Sequence, residues 1–102
     1  MKQTRMRPAL RKEDILAKAL PLAARHGYAS ITRGQIAAAA GVSGPVLNYH
    51  FGTMAQLRRD LMRYAVRMGC LKVIAQGLTA GDAQARKAAP DIKRAALEDV
   101  AV

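Results

Sequence analysis

Residues 36–51 read IAAAAGVSGPVLNYHF, and this stretch limits the fold more than any other. Four alanines run directly into Gly41. Side chains that small let one short helix cross another closely, and Gly41 can take the positive φ that ends a helix. Val42 can fill the space beneath the turn. Ser43 is a good N-cap, and Pro45 is tolerated in a first turn, where backbone N–H groups have no helical partner. A short helix, a glycine-containing turn and a second short helix make a helix-turn-helix.

Capping signals frame this unit. Thr32 with Gln35 three residues later, and Thr53 with Gln56, both match the capping box. The second helix is therefore expected from Thr32 to about Ala40, the third from after Ser43 to about His50, and a long fourth from about Met54 to Gln76. Leu57, Leu61, Tyr64, Met68, Leu71, Ala75 and Leu78 alternate by four and three, as the packed seam of one helix does. Met62, Val66, Gly69, Cys70 and Val73 form a second stripe on nearly the opposite side. A helix apolar on two sides needs two partners, so Met62, Val66, Gly69 and Val73 are expected to form a homodimer seam.

The first helix is expected from about Lys12 to His26. Glu13 and Asp14 stand in its first turn, Ile15, Leu16, Ala19, Leu20, Leu22 and Ala23 share one face, and Pro21 is expected to kink it. Residues 1–11, with four basic residues, no acid and Pro8, read as a basic arm. After Gly81, one or two short helices are expected, with Asp82 as a cap and Pro90 opening the second. The fold class is thus all-α: a three-helix unit over 12–57, and a long helix with C-terminal helices over 58–102.

Charge points to the partner. Residues 1–81 hold 13 basic and 3 acidic residues, whereas residues 82–102 hold 4 of each, so the whole excess of +10 lies in the first part. No carboxylate stands between Asp14 and Asp60. Such a surface suits a polyanion, with double-stranded DNA set against RNA or an anionic membrane. No apolar run approaches a membrane span, and the N-terminus lacks a secretory h-region. The single Cys70 fits a cytoplasmic setting, and DNA binding would place the protein on the nucleoid. His26, His50 and Cys70 compose no catalytic, metal or cofactor motif, so an enzyme is not expected.

With these residues in place, the segment ILAKALPLAARHGYASITRGQIAAAAGVSGPVLNYHFGTMAQL resembles the DNA-binding domain of TetR-type transcriptional regulators. Ile15-Leu16, Gly27-Tyr28, Thr32, Ile36-Ala37, Ala40-Gly41-Val42-Ser43, Leu47, Tyr49-His50-Phe51, Thr53 and Leu57 carry the likeness at the family's spacing, over roughly residues 12–65. Ala23, Asn48 and Met54 depart from the family's usual aromatic, Tyr and Lys. About forty residues stand where a large ligand-binding domain usually follows. They are too few to enclose an ordinary pocket, so no small-molecule effector is expected.

The resemblance implies a recognition helix over about 44–50. Ser43, Gly44, Pro45 and Val46 would meet the groove at its start, and Tyr49 and His50 would meet the backbone. Thr32, Arg33 and Thr53 would bind phosphate at helix N-termini. Asn48 either pairs with adenine or replaces the family's Tyr on a phosphate. Tyr28, Leu47, Phe51 and Leu57 read as core. The expected function is a homodimeric repressor on a palindromic operator; the alternatives are an architectural factor for recombination or excision and a protein-binding subunit.

Overall fold

The computed structural model describes residues 8–101, and all regular structure among them is helical. Helix α1 spans Pro8–His26, α2 Arg33–Ala40, α3 Gly44–Phe51, α4 Met54–Met68, α5 Leu71–Ala80 and α6 Pro90–Ala101, with a 3-10 turn at Ala85–Lys87 before the last.

Helix α1 begins a turn earlier than the sequence reading placed it. Pro8 opens the helix instead of preventing it, because first-turn N–H groups have no intrahelical acceptor to lose. Residues 8–11 of the expected arm are therefore helical; the rest of the arm lies outside the described residues. Glu13 and Asp14 fall beyond the first turn and act through ion pairs instead. Glu13 Oε2 lies 2.6 Å from Arg67 Nη2, and Asp14 Oδ2 lies 3.1 Å from Lys18 Nζ, one turn on. The helix runs unbroken through Pro21. Pro21 and Ala17, whose carbonyl loses its helical partner there, lie on the exposed side.

The long fourth helix is the main correction. It stops at Met68, where Gly69 takes φ 71 and ψ 33. Gly69 N–H donates to Val66 O (3.2 Å) and Cys70 N–H to Ala65 O (2.9 Å), the paired bonds of a Schellman motif. Helix α5 then packs against α4. This takes Met62 and Val73 out of the seam drawn along Met62, Val66, Gly69 and Val73. Met62 and Val73 are fully buried in the chain's own core, Gly69 is the turn itself, and Val66 packs half-buried against that core. The approach is close enough to require glycine at position 77. A Cβ there would lie 2.6 Å from both Met62 Cε and Ala85 Cβ.

The remaining C-terminal elements complete one continuous core reaching from Ile15 to Ala96, with no break at residue 57. Asp82 Oδ1 accepts from Gln84 N–H (2.8 Å) and Ala85 N–H (3.1 Å), holding the turn that leads into the 3-10 helix. Pro90 opens α6, which packs chiefly on α5 through Ala96.

Two side chains tie this half to the first. Gln76 Nε2 donates to Ala23 O (3.0 Å) and Ala24 O (3.4 Å), satisfying carbonyls near the end of α1. Its Oε1 accepts from Tyr28 N–H at 2.8 Å. Tyr28 Oη–H donates to Asp82 Oδ2 at 3.0 Å, and burial together with this bond pushes the phenol up to about 12. No described helix is long and apolar enough to cross a membrane.

Candidate nucleic-acid interface

Three helices start at hydroxyl caps. Thr32 Oγ1 accepts from Gln35 N–H (3.1 Å), Ser43 Oγ from Val46 N–H (3.3 Å) and Thr53 Oγ1 from Gln56 N–H (3.1 Å). Gln35 and Gln56 each close their box by accepting from the cap residue's own N–H at 2.9 Å. The caps leave the first helical N–H groups of α2 and α4 without intrahelical partners. Each end carries a partial positive charge, which favours an anion.

Helix α3 buries Leu47 and Phe51 and turns the rest outward. Ser43, Pro45, Asn48 and Tyr49 are exposed, and Gly44, Val46 and His50 are half-exposed. Tyr49 is 77% exposed, unusual for a large ring, and stands edge-on to His50 with centroids 5.1 Å apart. Thr32 and Thr53 are also exposed and Arg33 is half-exposed, so all ten residues expected to face DNA are accessible.

The structure brings only some of them together. Arg33, the first residue of α2, donates from Nη1 to Asn48 Oδ1 and to Gly52 O, the latter at 3.3 Å. Gly52 immediately precedes the Thr53 cap of α4. One guanidinium therefore joins the N-terminus of α2, the flank of α3 and the N-terminus of α4. Ser43, Gly44, Pro45 and Val46 start α3, roughly 3–8 Å before Asn48 along its axis at about 1.5 Å per residue.

Two residues absent from the sequence expectation join this region. The early start of α1 sets Arg11 and Lys12 near His50. Burial, then Arg11 and Lys12, hold the imidazole below its ordinary range. Lys12 Nζ also lies 5.4 Å from the Phe51 ring centroid and 3.2 Å from Asp60 Oδ2. Pro8 followed by Arg11 and Lys12 carries the signal, since a proline that opens a helix places both bases on α1. Met54, which stands where the resemblance leads one to expect Lys, is half-buried against the core and supplies no charge.

A three-helix unit with exposed capped N-termini and an outward-facing third helix defines the helix-turn-helix class of DNA-binding domains. Residues 15–61 match the family model described as bacterial regulatory proteins, tetR family. The match supports a TetR-type helix-turn-helix DNA-binding domain in this segment and, with it, a DNA-binding transcriptional regulator. No curated protein and no solved structure matches the chain.

Proposed function

We propose that the protein is a repressor that binds a palindromic operator as a homodimer and acts by occluding a promoter. The observation that carries this reading is the Arg33 junction, which sets two capped helix N-termini beside the outward face of α3 on a chain whose first 81 residues carry 13 bases and 3 acids. Thr32, Arg33 and Thr53 hold phosphates, with Tyr49 and His50 beside them. Ser43, Gly44, Pro45 and Val46 enter the groove. Two-fold pairing sets two recognition helices in successive major grooves, about 34 Å apart. With Met62 and Val73 internal, the pairing surface passes to the end of α4, where Val66 is half-buried and Met68 is 58% exposed. We place the protein in the cytoplasm, on the nucleoid, and assign it neither a catalytic reaction nor a small-molecule effector.

Selection from random duplexes with the purified protein, followed by footprinting and sedimentation, tests this. A palindrome covered by a dimer is the expected result. If a dimer neutralises about eight phosphates, log K against log salt falls with a slope near −7, at roughly −0.9 per phosphate. A slope shallower than about −2 on every duplex would overturn the reading. A strong bend without a palindromic footprint would point to an architectural factor.

A further inference from the structure

An asparagine amide has two different faces: Oδ1 accepts and Nδ2 donates twice. Either face is usually open to a ligand, because the group can turn over. At Asn48 it is held. Arg33 Nη1 donates to Asn48 Oδ1, and the same nitrogen is anchored on Gly52 O. A guanidinium carries only donors and stays charged, so no other edge of the amide can face it. Bonds from a charged donor are also the stronger kind. The surface one turn before Asn48 is open: Gly44 has no side chain, and a Cβ built there meets nothing within 4 Å.

We propose that Asn48 reads base edges as a donor only, and that Arg33 is the positioning residue that makes it so. This rests on the DNA-binding function proposed for the chain and replaces the adenine pairing considered from sequence. A bidentate contact to adenine needs the amide oxygen to accept from N6 while the nitrogen donates to N7. With Oδ1 committed to Arg33, adenine N6 would meet a donor with a donor. Cytosine offers only its N4 donor and fails in the same way. Guanine presents N7 and O6 side by side, both acceptors, and the two N–H bonds of one amide nitrogen can meet both. Guanine at one position in each half-site is therefore the base this arrangement selects. Arg33 keeps Nε and Nη2 for a neighbouring phosphate.

The test is binding-site selection with wild type, Arg33→Met and Asn48→Ala, alongside affinity for an unselected duplex. Wild type should require guanine at one position per half-site, any other base there costing roughly five- to hundredfold. Arg33→Met frees Oδ1 and should move that position to adenine. Asn48→Ala should flatten it and leave the other positions as they were. Both side chains are at the surface, and circular dichroism checks that both variants stay helical; if Arg33→Met does not fold, Asn48→Ala decides alone. Adenine in the wild-type site, or unchanged base preferences in Asn48→Ala, would overturn the proposal while unselected-duplex binding upholds the DNA-binding reading. Failure of wild type to bind any duplex at low salt removes both.

Discussion

The turn from α2 to α3 and the turn from α4 to α5 share one backbone design. Gly41 has φ 69 and ψ 35; Gly69 has φ 71 and ψ 33. In the first, Gly41 N–H donates to Ala38 O and Val42 N–H to Ala37 O; in the second, Gly69 N–H and Cys70 N–H reach Val66 O and Ala65 O in the same pattern. The residues just beyond each turn differ. Ser43 caps α3 with its hydroxyl, whereas Cys70 stands at the cap position of α5 and makes no side-chain bond. The first turn presents a polar helix start on the surface. The second leads straight into Val73 and Ile74, both fully buried. The same stop serves display or burial according to the residues that start the next helix.

The largest way to break this comparison is to remove what the second turn buries. Met62→Ala should lower unfolding stability by about 2–5 kcal/mol, measured as a denaturant midpoint, because it opens a cavity beside Gly77. Unchanged unfolding with weaker dimerisation would instead return Met62 to a subunit seam. Next come the glycines. Gly41→Ala and Gly69→Ala should each cost about 1–2 kcal/mol, since both put a Cβ into the left-handed region with nothing else within 4 Å. Clearly unequal losses in thermal unfolding would show that the two turns are not equivalent.

The caps sharpen the contrast at about 1 kcal/mol. Ser43→Ala should destabilise by that amount, and Cys70→Ser should stabilise by a similar or smaller one, by supplying the missing acceptor. A Cys70→Ser variant that melts lower would mean the thiol's packing outweighs a cap.

The smallest effect concerns pH. Burial, Arg11 and Lys12 lower the His50 pKa in the folded chain below its ordinary 6.5. The unfolded chain then binds that proton more readily. The contribution is complete above about pH 6.5 and is lost as pH falls through and below that value. Urea unfolding at about pH 7.5 and about pH 5.5 should show a smaller difference between the two conditions in His50→Gln than in wild type. Equal differences would mean His50 is not the group responsible.

The contrast also explains what could be read in the sequence. Thr32, Ser43 and Thr53 were legible because a cap is a local event: the hydroxyl meets an N–H three residues away. The stop at Gly69 was not, because the four-three spacing from Leu57 to Leu78 continues across it. That spacing records which side of a helix is apolar, and two helices joined by a tight turn preserve it. Pro8 admits two opposite readings, breaker or opener, and choosing the first hid Arg11 and Lys12 from the interface. The Arg33–Asn48 bond spans 15 residues and the Gln76–Tyr28 bond spans 48, so no local pattern encodes either.

The Gln76–Tyr28 bond also sets an order in time. A ribosome delivers α1 through α3 well before residue 76. Until Gln76 and Asp82 emerge, the Tyr28 amide and phenol and the carbonyls of Ala23 and Ala24 lack the partners that hold them in the finished protein. The connection from α1 to α2 is therefore among the first parts synthesised and among the last completed. A chain truncated at residue 61 would lack Gln76 and Asp82 and the bonds they make to Tyr28, Ala23 and Ala24, so these bonds become possible only once residue 82 has been added.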